Sequence, residues 1–358
     1  MLKLGVLNGD DIGHEIVPAT VAVLKAAAAA TGLDIDWSHH PIGRTALDTL
    51  GTTMPEGTLE VLSQLDGFIL GPIGHRAYPT GPGAINPHPI LRKHFDLFAN
   101  IRPTRSYPGL GALHDDIDVV IVRENNEGFQ PDRNVFAGSG EFRPSPDMTI
   151  SVRVITRRGS ARVARAAFEL AQRRRRKLAV VHKDTVFKLG CGMYAEECRR
   201  VAADFPEVEV EEFMVDSFAM LLVREPARFD VVVTTNLFGD ILSDVAAGLV
   251  GGLGMAPGLC IGEGAIAMAQ ATHGSAPDIA GQDRANPYAM IESGRMLLEW
   301  LAWNRGEQAG VRAAGLIKRA LIDVLADPAA RTRDVGGQAG TRAMTEAVIA
   351  RIEVAERA

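Results

Sequence analysis

The sequence predicts an α/β protein of two lobes, and three observations carry that prediction. Short runs rich in β-branched and aliphatic residues alternate with amphipathic or Ala-rich helical stretches along most of the chain. The 358 residues, 46% of them apolar, exceed what one hydrophobic core usually organises. No internal repeat, low-complexity tract or Pro/Ser linker divides the chain, so the lobes are expected to share elements instead of following one another.

Taken in order, the strand signals fall at residues 3–7, 67–70, 118–122, 178–181 and 230–234. Helical patterns lie between and beyond them at 12–31, 160–172, 190–203, 237–249 and 287–303, and the C-terminal third reads as almost entirely helical. The stretch 125–148, rich in Gly, Pro, Asn and Arg, precedes the alternating run 149–154. That order suggests an exposed arm ending in a strand, an element able to pair with a second subunit. The basic run 173–177 closes the helical pattern begun near residue 160, where cations complement the helix dipole, and is read as a solvated helix end.

Charge and cysteine usage exclude several classes. A net charge of −6 argues against a nucleic-acid partner. Cys191, Cys198 and Cys260 lack both paired disulfide spacing and any CxxC metal pattern, so a reducing cytoplasm is the expected compartment. The chain runs directly into Leu2-Lys3-Leu4-Gly5-Val6-Leu7 and contains no apolar stretch of about 18 residues, so neither export nor a membrane anchor is expected.

Three groups of residues carry chemistry. Asp240 and Asp244 stand four apart in a helical segment, which puts both carboxylates on one face, and a hard oxygen site of two or three carboxylates suits Mg²⁺ or Mn²⁺. An isolated DxxxD more often only solvates a helix face; the Gly-rich apolar stretch 249–258 that follows tips the reading toward a site. Arg92 and Arg102 flank a Phe-rich segment and Arg123 ends a strand. Gathered in one place they would bind an acid with two or more carboxylates; singly, each is more often a surface ion-pair partner. Lys183 follows an apolar strand, the usual location of site residues in α/β proteins, where it either caps the sheet edge or exchanges a proton with a substrate hydroxyl.

The strings that hold these residues resemble a known family along nearly the whole chain. They are Gly9-Asp10-Asp11-Ile12-Gly13-His14-Glu15-Ile16, the arginine segment 91–103, Arg123-Glu124-Asn125, Asn236-Leu237-Phe238-Gly239-Asp240, His273-Gly274-Ser275-Ala276-Pro277-Asp278-Ile279-Ala280-Gly281 and Ala285-Asn286-Pro287. In this order they are similar to the metal-dependent β-decarboxylating dehydrogenases, the isopropylmalate, isocitrate, homoisocitrate and tartrate/D-malate dehydrogenase family.

That resemblance implies a specific machine. Its fold would be isopropylmalate dehydrogenase-like and two-lobed with a mixed central sheet, not Rossmann. The large cofactor-binding lobe would comprise residues 1–98 and 251–358; the small lobe, 99–250, would carry the dimer interface and an arm at about 125–155. Arg92, Arg102 and Arg123 would clamp the malate part of a small hydroxy acid. Asp240 and Asp244, with Asp216 supplied by a second subunit, would hold Mg²⁺ or Mn²⁺; Lys183, also from the second subunit, would accept the proton, so a homodimer would share its active sites. NAD would lie on His273, Gly274, Ser275, Ala276, Asp278, Ile279 and Asn286. Asp278 is placed to accept from ribose hydroxyls and to repel a 2′-phosphate, although an aspartate at a Pro-Asp step is also a common turn residue.

The departures from the family bear on the substrate. Asp11 and His14 stand for Gly and Pro, and Thr185 stands where Asn is usual. Asn86 and His88 occupy the segment that reads the variable arm, where isopropylmalate dehydrogenases place aliphatic side chains, so a polar arm is expected. The family tyrosine that follows the Arg-Glu segment is matched by Gln130, or by the 135–138 segment if 131–134 is an insertion; Tyr78, Tyr107 or a water could stand in. The expected activity is NAD-dependent oxidative decarboxylation of a malate-type di- or tricarboxylic acid. The alternatives are 3-isopropylmalate dehydrogenase of leucine biosynthesis and, in another class, a catalytically idle regulatory or metabolite-binding relative, against which the retention of Lys183, Asp216, Asp240 and Asp244 argues.

Overall fold

A computed structural model describes residues 1–130, 135, 138–264 and 266–357. In chain order the elements are β1 (Leu2–Leu7), α1 (Gly13–Thr31), β2 (Ile35–His39), α2 (Gly43–Leu50), α3 (Thr58–Leu62), β3 (Gly67–Leu70), α4 (Pro87–His94), β4 (Ala99–Arg105) and β5 (Asp118–Glu124). There follow β6 (Glu141–Ser145), β7 (Met148–Ser151), α5 (Arg157–Gln172), β8 (Lys177–His182), α6 (Gly190–Ala202), β9 (Glu209–Met214), α7 (Val215–Arg224), β10 (Val231–Thr234) and α8 (Asn236–Leu249). The last are β11 (Leu259–Ile261), β12 (Ala267–Ala269), α9 (Tyr288–Arg305), α10 (Gln308–Ala326) and α11 (Thr341–Arg357). Among the described residues no helix is long and apolar enough to cross a membrane.

The chain forms two compact units, residues 1–95, 107–113 and 250–358 in the first and residues 96–106 and 114–249 in the second. In the first, five strands run in the order β2-β1-β3-β12-β11, with β1, β2, β3 and β12 parallel and β11 antiparallel to β12. β3 and β12 are buried throughout, which is why a parallel strand reads as a continuous apolar run and not as an alternation. Helix α1 packs against α9, α10 and α11. Its C-terminus is closed by Gly32 at φ 70°, whose N–H reaches the carbonyls of Ala28 and Ala29.

In the second unit the order is β4-β5-β10-β8-β9, with β4 antiparallel to β5 and the rest parallel. The strands of each unit are therefore of mixed direction, as expected, and neither set is the all-parallel doubly wound type. Helix α5 starts one turn earlier than the pattern suggested, because the Thr156 hydroxyl accepts from the Gly159 N–H and caps it.

Several expectations need correction. The basic run is a solvated helix end only in part: Arg173, Arg175, Arg176 and Lys177 are exposed just past the end of α5, but Arg174 and Arg175 both reach the buried Asp230, Arg174 also pairs with Asp118, and Lys177 already begins β8. The arm is not a loop followed by one strand but a two-stranded antiparallel hairpin, β6–β7, with Phe142 opposite Ile150. Residues 141–145 escaped notice because every one is exposed, so no hydrophobic alternation marks the strand. The run 149–154 is broken as well, with β7 ending at Ser151 and Val154 bridging to Gly128. The C-terminal third holds two short strands, β11 and β12, besides its helices.

Candidate active site

The second unit builds its cluster from strand ends. On the β4–β5 pair Arg102 faces Ile121 and Asn100 faces Arg123, so period-two geometry puts Arg102 and Arg123 on one face. Helix α8 packs on β5, close enough that a Cβ on Gly239 would lie 2.7 Å from the Arg123 Cβ, a distance only glycine permits. Its first turns then present Asn236, Asp240 and Ser243. Arg102 Nη1 donates to Asp240 Oδ1 at 3.0 Å and to Ser243 Oγ at 2.7 Å. Arg123 Nη1 also donates to Asp240, while its Nε and Nη2 reach Asn236 Oδ1 at 2.9 and 2.5 Å.

Both guanidinium groups are nearly dry, with side-chain exposures of 6% and 4%, but the shared Asp240 carboxylate is 45% exposed. The cluster thus pins two buried cations and leaves a carboxylate edge open. Asp244 lies one turn further along α8; burial, followed by the nearby Asp240, raises its pKa, while Arg102 and Arg123 pull the other way. Behind Arg123, Glu124 is pushed up to about 7, chiefly by burial and then by Glu127, although the N–H groups of Asn126 and Glu127 donate to it.

A second pair arises at the ends of the parallel strands β8 and β9, where His182 is in register with Met214. The chain leaves β8 at Lys183, Asp216 lies in the first turn of α7, and Lys183 Nζ donates to Asp216 Oδ1 at 2.5 Å. That hydrogen bond is the main reason the exposed Asp216 carboxyl is held below its usual pKa. Thr185 turns its hydroxyl toward Met214 Sδ at 3.7 Å. Among the described residues no three His, Cys, Asp or Glu side chains converge on a metal position. The donor set offered by α8 is two carboxylates, an all-oxygen arrangement that fits Mg²⁺ or Mn²⁺ and needs further ligands from outside α8.

The first unit holds the remaining residues. Asn86 caps α4, its side chain accepting from the His88 N–H at 3.2 Å, with Pro87 opening the helix. His88 and Arg92, one turn apart, meet the buried Gln270 just beyond β12. The 273–286 loop is tied down at several points. Ile12 N–H donates to the Ser275 carbonyl, and the two oxygens of Glu15 receive the N–H groups of Gly281 and Asp283 at 2.6 and 3.0 Å. Ala276 has φ 44°, His273 Nδ1 lies 2.9 Å from the Gly274 carbonyl, and the Asp278 and Gly274 side of the loop is exposed beside part-buried Ile279. Asn286 accepts from Tyr288 N–H and donates to Asp334. Asp11 adopts φ 49°, the left-handed region that explains a family glycine there and that Asp tolerates better than most residues.

Comparison with known proteins meets this geometry directly. The family model described as isocitrate/isopropylmalate dehydrogenase matches residues 3–348. The chain belongs to the isocitrate/isopropylmalate dehydrogenase family. It is 42% identical over 350 residues to the isocitrate/homoisocitrate dehydrogenase of Thermus thermophilus, covering 97% of each chain. It is 38% identical over 353 residues to the 3-isopropylmalate dehydrogenase of Methanothermobacter thermautotrophicus, covering 98% of this chain and 99% of the relative. A solved isocitrate dehydrogenase from Methylococcus capsulatus superposes with a TM-score of 0.84 at 38% identity, covering 98% and 99% of the two chains. The protein is accordingly an oxidoreductase of the decarboxylating hydroxy-acid dehydrogenase class, with the isopropylmalate dehydrogenase-like α/β fold.

In this family member the structure brings Arg102, Arg123 and Asp240 together and pairs Lys183 with Asp216; it sets Arg92 and His88 in the other unit. Sequence reasoning passed over Ser243, Asn236 and Gln270 as site residues. Asn236 opened a quoted motif, so its signal was present, whereas Gln270 sits between a short strand and the 273–281 loop with no periodicity to mark it.

Proposed function

We propose that this enzyme oxidises and decarboxylates a malate-type 2-hydroxy acid that carries a polar variable arm, with NAD as hydride acceptor and Mg²⁺ or Mn²⁺ as metal. The observation that carries the proposal is the pair of buried arginines, Arg102 and Arg123, locked onto an exposed carboxylate edge that continues to Asp244. Arginines fixed in this way are pre-organised donors for substrate carboxylates, and the ordering entropy is spent during folding. Arg92, on α4, is assigned the same role, with Asn86 and His88 beside the variable arm.

Asp240 and Asp244 would hold the cation with Asp216 of a second copy; when bound, the cation stabilises negative charge on the substrate oxygen as it is oxidised. Lys183 is the proposed proton acceptor. In the isolated chain its Nζ is engaged by Asp216, so it can turn to a substrate hydroxyl only when Asp216 is engaged elsewhere. The 273–286 loop, held rigid by Glu15, is the proposed cofactor seat, with Asp278 favouring the free ribose hydroxyls of NAD over a 2′-phosphate. A homodimer supplies the shared ligands in this reading.

The test is a turnover screen of isocitrate, homoisocitrate, tartrate, D-malate and 3-isopropylmalate with NAD or NADP, with Mn²⁺ and in chelator. NAD reduction with a polar-armed acid, lost on chelation and restored by Mn²⁺, is expected. Preference for 3-isopropylmalate would return the enzyme to leucine biosynthesis. Undiminished turnover in metal-free chelator, or equal efficiency with NADP, would remove the metal or the Asp278 assignment respectively.

A further inference from the structure

Gln270 has no place in the chemistry so far, yet it joins two residues that do. It follows β12 directly, its N–H donates to the Gly258 carbonyl, and its side chain is buried, so the amide cannot exchange its partners freely for water. Oε1 accepts from Arg92 Nη2 at 3.0 Å, and Nε2 meets His88 Nε2. Arg92 is itself buried, and the Asn86 cap with Pro87 sets the start of α4 so that His88 and Arg92, four apart, share a face.

Among these three side chains the donor inventory leaves one arrangement. A guanidinium has N–H donors and no acceptor, so the carbonyl end of the Gln270 amide must face Arg92. The NH₂ end then faces His88 and can only donate, which requires a lone pair on His88 Nε2. Reversing the amide would set NH₂ against guanidinium in a buried place, two donors with nothing between them. We infer that Gln270 is a positioning residue that steadies Arg92 and fixes the His88 ring with its proton on Nδ1.

The inference deepens the proposed function, because it rests on Arg92 and His88 facing the substrate. A ring held in this tautomer offers only a donor from Nδ1. A substrate arm that takes over this donor on binding must bring an acceptor, so an arm bearing a carboxylate, carbonyl or hydroxyl oxygen is matched and an alkyl arm is not. Specificity of this kind is large, since a polar group made to hydrogen-bond and left unpaired discriminates strongly.

The test reads the ring itself. Nitrogen-15 NMR of the full chain labelled at histidine, with His88 assigned by the signals lost in His88→Asn, should show a pyridine-type Nε2 and a protonated Nδ1 at neutral pH. Gln270→Glu keeps the shape but presents an acceptor to both neighbours, so the proton should move to Nε2. Gln270→Met, which neither donates nor accepts, guards against a Glu variant that fails to fold and should also release the Nδ1–H tautomer. In kinetics, Gln270→Met should raise KM for the accepted acid roughly tenfold, the equivalent of one hydrogen bond to a charged group, with kcat within about threefold. A proton on Nε2 in the unmodified protein, a ring unchanged in the folded variants, or a loss in kcat at constant KM would overturn the inference. Absence of turnover with every hydroxy acid would instead sink the proposed function, and the NMR result would still decide the role of Gln270.

Discussion

Gln130 stands where the family carries a tyrosine, and its Nε2 donates to Asn236 Oδ1 at 3.2 Å, the oxygen that also receives Arg123. An amide can hold this network but cannot deliver a proton near neutral pH. The other candidates are committed in the first unit: Tyr78 gives its hydroxyl to Asp10 at 2.5 Å, and the Tyr107 and Tyr288 hydroxyls pair at 2.9 Å. The alternative match at 135–138 falls partly outside the described residues. We expect hydride transfer to outrun enol protonation, giving a burst of NADH followed by slower ketone release in stopped-flow experiments. A missing general acid is worth on the order of 10²–10⁴ in rate, enough to make that step limiting. NADH and ketone appearing together at the steady-state rate, with Gln130→Ala without effect, would refute this. Glu124 supports a second expectation. Its folded pKa of about 7 lies above the ordinary 4.5, so its contribution to stability is full below pH 4.5 and is lost as pH rises through 7. Glu124→Gln does not titrate, and its advantage over the unmodified protein in urea unfolding should grow by about 2 kcal/mol from pH 5 to pH 8. A difference that stays flat across that range would show the carboxyl to be ionised throughout.

Among the elements, β6 and β7 are exposed along their whole length. Phe142, Met148 and Ile150 are 51%, 53% and 41% exposed on two strands only, and an isolated hairpin is marginal in water. Met220 and Val223 on α7 and Ile241 on α8 add further exposed apolar groups in the same unit. Apolar surface of this kind marks association, and the proposed occupant is the second copy of this chain. Replacing the cross-strand pair in the double variant Phe142→Glu, Ile150→Glu should shift sedimentation velocity from dimer to monomer while leaving the helical circular dichroism intact. A dimer that survives the double substitution would place the interface elsewhere.

For the whole molecule, the division of labour between copies is the central expectation. Lys183 and Asp216 are paired within one chain, whereas Asp240 and Asp244 lie on α8 with no third carboxylate among the described residues to complete a cation site. If the sites are shared, chains inactivated by Lys183→Ala and chains inactivated by Asp240→Ala should complement each other. Mixed and exchanged, they should recover up to about a quarter of normal activity, since half the dimers are then mixed and each mixed dimer has one intact site. Demonstrated subunit exchange with no recovery would confine each site to a single chain.

The sequence by itself determined the alternation of strands and helices, the mixed α/β class through its ordered motifs, and the residues that carry charge at strand ends. Strands β1, β3, β5, β8 and β10 were legible because burial forces continuous apolar runs, and α1, α5, α8 and α9 because one face of each must be apolar. What tertiary structure decided was pairing. That Arg102 and Arg123 share Asp240, that Arg174 and Arg175 hold the buried Asp230, and that Gln270 links Arg92 to His88 are contacts between residues 55 to 182 positions apart. Local propensity carries no record of such distances. A guanidinium reads the same in sequence whether it is a surface charge or a buried clamp, and only the packing that removes water from it makes the difference.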